Sequence, residues 1–164
     1  MNENFYSRIP LKLIIISFIV PLILDFIPFS GSIFYWLPEF TALMLYYWLI
    51  NRPQNVGIGT AFVLGLLVDI GTASPLGEHA LAYVLSAYLI VYYHRKIYED
   101  DGLQAVFVGL ALLLNEMVQL LVNLRFEHRS TSWGVLLSPI MGAFLWPALN
   151  KLMVSILNFR QLKR

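Results

Sequence analysis

Three side chains that could perform chemistry lie within the stretch AFVLGLLVDIGTASPLGEHALAY, residues 61–83. Asp69 stands near the end of an apolar run, and Glu78 and His79 open the next one. Carboxylates and imidazoles are the groups that proteins use to bind metal ions or to move protons. The spacing here matches no zinc pattern such as HExxH, so we expect neither a metal site nor another cofactor.

A polar stripe runs along a later segment. Glu116, Gln119 and Asn123 follow one another at i, i+3 and i+7, which places them on one face of a helix. In a bilayer such a stripe must face other helices or a water-filled cavity. Hydrogen bonding between helices is the favoured interpretation. The alternative is a small-molecule pocket, gated by Asp69 or the loop after it.

Asp69 itself is predicted to stabilise the turn that follows it and the packing of its helix, rather than to take part in catalysis or proton transfer. On helical spacing it shares a face with Gly65, whose small size lets a neighbouring backbone approach. The turn that follows contains Pro75 and Gly77, and its amides need acceptors. Asp69→Asn keeps an acceptor, so we expect it largely to preserve partner association and function, whereas Asp69→Leu should perturb the turn.

Two further acids stand near the ends of apolar segments. Glu39 follows Pro38 near the start of one segment, where proline suits the first helical turn and an acid suits the positive end of the helix dipole. We therefore interpret Glu39 as a residue that caps the start of this helix. Asp25 is expected to act similarly in the loop after the first segment.

Motifs of known enzyme chemistry are absent from the sequence. There is no G-x-S-x-G serine, Walker loop, Rossmann glycine pattern or internal repeat, and no cysteine. We therefore expect a protein that is not an enzyme.

The amino-acid composition indicates whether this chain folds in water or in a membrane. Of its 164 residues, 59% are hydrophobic and only 13% are charged, which predicts an integral membrane protein. The net charge of +1 and the lack of a long basic run argue against nucleic-acid binding. Because a membrane-spanning helix needs about 20 residues, we expect one all-α domain, residues 1–164, built as a bundle of six spans.

The six spans are predicted from the apolar runs and the turns between them. They are approximately Leu11 to Ile27, Ile33 to Ile50, Val56 to Ile70, His79 to Tyr93, Leu103 to Leu124 and Trp133 to Leu157. Pro139 and Pro147 are candidate positions for a break or kink in the last span.

Basic residues predict the orientation of the bundle. With both termini in the cytoplasm, nine of the eleven Lys and Arg residues lie inside, as expected for cytoplasmic loops. The nine are Arg8, Lys12, Arg52, Arg95, Lys96, Lys151, Arg160, Lys163 and Arg164. Only Arg125 and Arg129 lie outside, and the 61–83 stretch then turns at the outer face.

The region from Leu37 to Arg95 resembles a known family. It contains Pro38-Glu39, then Tyr-Tyr-Trp before Asn51-Arg52-Pro53, then GLLVDIGTASPLGEHALAYVLSAYL. This arrangement is similar to that of the bacterial rod shape-determining proteins MreD. Length, six spans and short termini agree over the whole chain.

The resemblance implies a non-enzymatic subunit of the bacterial cell-elongation machinery in the inner membrane. The expected partners are MreC, directly, and MreB, RodA and its penicillin-binding transpeptidase in the wider complex, besides the lipid bilayer. The family is also similar in architecture to the substrate-binding S subunits of vitamin uptake transporters, although a shared fold does not transfer a ligand.

Overall fold

The computed structural model describes residues 9–27, 36–98, 100–126 and 137–161. Over these ranges the chain is all-α, without a strand, and this part of the predicted fold class is confirmed. The helices in chain order are α1 (Leu11–Ser17), α2 (Ile19–Phe26), α3 (Phe40–Asn51), α4 (Ile58–Thr72), α5 (Glu78–Ile97), α6 (Asp101–Phe126) and α7 (Ser138–Gln161).

The first predicted span, Leu11 to Ile27, is divided into two helices. α1 ends at Ser17, Phe18 forms a turn, and α2 follows. Pro21 accounts for the break, because it has no N–H for the carbonyl four residues earlier and its ring crowds that carbonyl. The Ser17 hydroxyl accepts a hydrogen bond from Trp48 Nε1 at 2.8 Å, which ties the break to the centre of the bundle.

Helix α3 is that centre. Its residues from Thr41 to Asn51 are all buried, and α2, α5, α6 and α7 pack against it. The sequence FTALMLYYWLIN is apolar around nearly the whole helix, and such a helix must be covered on every side. Tyr46, Tyr47 and Trp48 are among the largest fully buried side chains of the described residues.

Side chains from other helices satisfy both ends of α3. At its N-terminus the Asp25 carboxylate accepts hydrogen bonds from the amides of Phe40 and Thr41, at 3.0 and 2.8 Å. At its C-terminus the His94 ring nitrogen Nε2 lies 2.8 Å from the Ile50 carbonyl oxygen. Backbone groups at buried helix ends need such partners, so α3 is held in place by α2 and α5.

Helices α4 and α5 approach each other most closely at Gly65. A Cβ atom added there would overlap the Ala80 backbone, so the absence of a side chain permits the contact. The turn between the helices includes two left-handed residues, Ala73 at φ 55° and Gly77 at φ 99°. Glycine adopts that conformation without steric cost, and Gly77 directly precedes α5.

The predicted span boundaries agree with the structure to different degrees. The third, fourth and fifth spans correspond to α4, α5 and α6, with ends that differ by one to four residues. The second span begins later than predicted, because Leu37–Glu39 are not helical and a residue before proline is disfavoured in a helix. The last helix continues through Pro147 without a break, and the predicted start at Trp133 lies outside the described residues.

Membrane-length helices occur in the second half of the chain. In the part that the structure describes, Gly102–Arg125 and Ser138–Leu157 are long and apolar enough to cross a bilayer, whereas Phe40–Asn51 and Ile58–Thr72 are apolar but shorter. The outer surface of the bundle is also apolar. Phe144 on α7, for example, is 83% exposed, and a continuous surface of this kind requires lipid or protein to cover it.

Candidate functional site

A cavity of about 370 Å³ lies at one end of the bundle. At this end α2, α4 and α6 finish, and α3, α5 and α7 begin. Its acidic lining residues are Asp25, Glu39, Glu78 and Glu116, and His79, Gln119, Asn123 and Ser138 add further polar groups. The two polar clusters predicted from the sequence, around Asp69 and along α6, therefore meet at the same end of the fold.

Asp69 occupies the last turn of α4 and is fully buried. Its Oδ2 accepts a hydrogen bond from the Gly77 amide at 2.8 Å, and its Oδ1 accepts one from the His79 amide at 2.8 Å. Amides at a helix start have no partner within the helix, and a carboxylate is the strongest acceptor for them. Asp69 thus fixes the start of α5, and the Pro75–Gly77 segment of the turn, against α4.

His79 links Asp69 to Glu39. Its ring nitrogen Nδ1 lies 2.9 Å from Asp69 Oδ1, and Nε2 lies 3.5 Å from Glu39 Oε1. The imidazole thereby connects the end of α4 with the residue that precedes α3. The sequence indicates no role for His79 other than that of a candidate metal ligand, and its position between Asp69 and Glu39 is evident only in the structure.

Glu39 does not cap α3, and that interpretation is wrong. Its side chain makes no capping hydrogen bond, and Asp25 on α2, rather than a loop residue, accepts the free amides instead. The Glu39 carboxylate is turned toward α6, where Oε2 accepts a bond from Asn115 Nδ2 at 3.0 Å and Oε1 accepts one from Gln119 Nε2 at 2.5 Å. Two neutral amide donors thus compensate a carboxylate that is mostly removed from solvent.

The predicted stripe on α6 faces the inside of the bundle. Asn123 Nδ2 donates to Glu78 Oε1 at 2.7 Å, Gln119 donates to Glu39, and Glu116 lines the cavity. The structure therefore places the stripe both in contact with other helices and at a cavity. Its hydrogen bonds join α6 to the start of α3 and to the start of α5.

Asn115 is a member of this network that is not among the residues predicted from the sequence. It is fully buried on α6 and bonds to Glu39. The signal was present in its spacing, because Asn115, Gln119 and Asn123 recur every four residues and share a helix face. Asp25 was recognised as a helix-end acid, but nothing in its local sequence indicates that its partner is α3.

The chemical capacity of the site is that of a hydrogen-bonded network beside a cavity. Among the described residues no three His, Asp or Glu side chains are grouped so that they could hold a metal ion. The carboxylates around Asp69 and Glu39 accept hydrogen bonds from amides and approach the His79 ring. This arrangement joins helices firmly and leaves a polar space among their ends.

These features define a class of protein: an all-helical bundle with membrane-length helices, an apolar exterior and an interior network of polar side chains that joins the helices. Residues 7–156 match the family model of rod shape-determining protein MreD, and the chain belongs to that family of cell-shape proteins. A relative in Haemophilus influenzae, described as rod shape-determining protein MreD, is 29% identical over 144 residues, which cover 85% of this chain and 86% of that protein. No solved structure matches the chain at a significant level.

Proposed function

We propose that this protein is a non-enzymatic inner-membrane scaffold of the bacterial cell-elongation machinery, which directs peptidoglycan synthesis in rod-shaped cells. In this role it binds MreC directly and belongs to a wider complex with MreB, RodA and a penicillin-binding transpeptidase. Membership of the MreD family supports the role in cell shape. The interior supports a structural function, because its polar groups are largely bonded to one another across helices.

The observation that carries the proposal is the apolar outer surface. Ile70 on α4, Tyr92 on α5, Leu121 on α6 and Phe144 on α7 are each more than half exposed. The connections between α3, α4, α5 and α6 are short, so they offer little surface to soluble partners. Contacts with other subunits are therefore lateral, between helices within the bilayer.

We further propose six membrane spans in a single domain, with both termini in the cytoplasm and an architecture like that of the S subunits of vitamin transporters. The excess of Lys and Arg on the assigned inner side supports this orientation. Of these inner residues Arg8, Lys163 and Arg164 lie outside the described residues, and so does Arg129 on the assigned outer side. Since α1 and α2 together make one predicted span, the helices α1–α7 are compatible with six.

Cysteine crosslinking tests the association with MreC. Single cysteines at outward positions, such as Tyr92, Leu121 and Phe144, are introduced into the cysteine-free chain and paired with cysteines along the membrane segment of MreC. At least one outward face should crosslink, whereas Ala42→Cys, at a fully buried position on α3, should not. Rod-shaped cells in which no outward position crosslinks to MreC would refute the scaffold.

A second candidate function is favoured by the cavity. A volume of about 370 Å³ falls within the range of small-molecule sites, about 300–1,000 Å³. The chain would then bind a small molecule or a lipid-linked precursor as a membrane subunit. The discriminating measurement is direct binding of a ligand to the purified protein, and the chemistry of the cavity specifies which ligand class to use.

A further inference from the structure

The lining of the cavity contains an excess of acidic side chains over basic ones. Its described lining residues include four carboxylates, from Asp25, Glu39, Glu78 and Glu116, and neither a lysine nor an arginine. His79 is the lining residue that can carry a positive charge. Opposite charges nearby stabilise an ion in a site of low dielectric constant, so the electrostatics favour a cationic ligand over an anionic one.

The carboxylates are not equally engaged. Asp25 accepts two backbone amides, and Glu39 accepts two side-chain amides. Glu116 has neither kind of donor among the hydrogen bonds of the described residues. It therefore keeps the greatest capacity to accept hydrogen bonds from a ligand, since an ionised carboxylate offers about four acceptor positions.

Ser138 provides an independent indication of a ligand. Its side chain lines the cavity and the residue is only 3% exposed. Its hydroxyl lies near the Glu116 carboxylate but outside hydrogen-bonding geometry with any described residue. A buried hydroxyl without a partner is unfavourable, and a polar ligand group between Ser138 and Glu116 would remove this cost.

The arrangement of the acidic residues favours an organic cation over a metal ion as the ligand. A divalent metal requires several oxygen ligands at about 2.0–2.6 Å from one point. The described acids and histidines contain no group of three that could converge in this way. Leu24, Phe40, Val68 and Leu120 form apolar parts of the lining, which suits a cationic group attached to hydrocarbon.

We propose that the cavity binds a protonated primary amine joined to a short apolar group, with the ammonium between Glu116 and Ser138. An ammonium group donates three hydrogen bonds, which these two side chains and nearby acceptors can take. The amine could be a soluble metabolite or the headgroup of an ethanolamine lipid, since both present the same chemistry. This inference deepens the second candidate function and does not depend on the binding of MreC.

Binding is measured by isothermal titration of the purified full-length protein in an uncharged detergent at pH 7. The probes are n-butylammonium, n-butanol and n-butyrate, which have the same hydrocarbon and differ in charge; the amine is protonated at this pH. The expected result is that butylammonium binds at least tenfold more tightly than the other two probes. One charge-assisted hydrogen bond contributes a difference in affinity of about this size. Equal affinity for butylammonium and butanol would overturn the proposal.

Variants locate the site. Glu116→Gln keeps the shape and removes the ionisable carboxyl group, so it should weaken butylammonium binding about tenfold. The matched control is Asp100→Asn, at an exposed acid beside the start of α6, at the opposite end of the bundle, and it should bind as the wild type does. An equal loss in both variants would show nonspecific attraction to negative charge and refute the assignment. If Glu116→Gln does not fold, the probe comparison on the wild type still decides.

A lipid experiment identifies the source of the amine. The protein is placed in nanodiscs of phosphatidylglycerol alone or mixed with phosphatidylethanolamine, and butylammonium binding is repeated. Competition by phosphatidylethanolamine supports the site and assigns it to a lipid headgroup, whereas unchanged binding supports it and assigns a soluble amine. Association with MreC is tested separately, by crosslinking of the outward positions in the otherwise wild-type chain, so failure of the ligand site and failure of the scaffold are distinguished.

Discussion

A single oxygen of Asp69 accepts two contacts from His79: the backbone amide at 2.8 Å and the ring nitrogen Nδ1 at 2.9 Å. The other oxygen takes the Gly77 amide. Both carboxylate oxygens are therefore committed to the first residues of α5 and the turn before it. The Asp69 position couples the end of one helix to the start of the next, and it also sets the direction of the imidazole that reaches Glu39.

Asp69 variants should lose stability in a defined order. Asp69→Asn retains one acceptor oxygen but places an NH₂ group against a backbone donor, so we expect a loss of about 1–2 kcal/mol in the free energy of unfolding. Asp69→Leu removes both acceptors and should cost roughly twice as much. Thermal unfolding of the purified variants measures the order. Partner association of Asp69→Asn should remain at the wild-type level.

The same variants test whether ionisation of Asp69 is required. If Asp69→Asn accumulates in the membrane, binds MreC and yet fails to support rod shape, the architectural role is insufficient and a charge at this position is needed.

Gly65 and Gly59, both on α4, form a matched pair. Gly65→Ala places a Cβ against the Ala80 backbone and should destabilise the bundle by about 1–3 kcal/mol. A Cβ at Gly59 meets nothing within 4 Å, so Gly59→Ala should be neutral or stabilise by up to about 1 kcal/mol, through helix propensity. Chemical or thermal unfolding compares the two. Equal effects would show that α4 and α5 are not in close contact at Gly65.

A double-mutant cycle should detect coupling between Glu39 and Gln119. We expect a coupling energy of about 0.5–3 kcal/mol for Glu39→Ala with Gln119→Ala, because each variant removes the same hydrogen bond. Gln54, exposed in the turn after α3, supplies the control: Gln54→Ala with Glu39→Ala should be additive. Additivity in the first cycle would mean that the bond contributes nothing to stability.

Thiol labelling should distinguish the two ends of the bundle. Leu76→Cys and Gln54→Cys are exposed positions in the turns at opposite ends of α4. In the proposed orientation an impermeant maleimide labels Leu76→Cys from outside intact spheroplasts and labels Gln54→Cys only after lysis. The reverse pattern would invert the topology, and labelling of both before lysis would contradict a membrane-spanning α4.

Local signals allowed much of the helical arrangement to be predicted. Apolar runs ended by Pro, Gly and charged residues place α4, α5 and α6 to within a few residues. Effects that depend on more distant parts of the chain were harder to predict from the sequence. Pro21 divides the first segment, although proline within apolar helices of membrane proteins is often tolerated, and its sequence context alone does not distinguish the two outcomes.

The pairings within the site could not be predicted from one sequence. Asn115 and Gln119 reach Glu39 across 76 and 80 residues of chain, and periodicity identifies a polar face but not the side chain opposite it. Glu39 illustrates the result: its position before a helix predicts capping, yet tertiary packing brings Asp25 to those amides and turns Glu39 toward α6. The local preference of Glu39 was overridden because the side-chain amides of Asn115 and Gln119 on α6 also need an acceptor.

The burial of α3 has a consequence for the order of biogenesis. Its 12 residues extend about 18 Å, well short of a hydrocarbon core of about 30 Å. Three of the four helices that pack against it, α5, α6 and α7, are synthesised later. A nascent chain that stops before α5 lacks His94, the partner of the Ile50 carbonyl. The native packing around the central helix can therefore be complete only after those later helices have been synthesised.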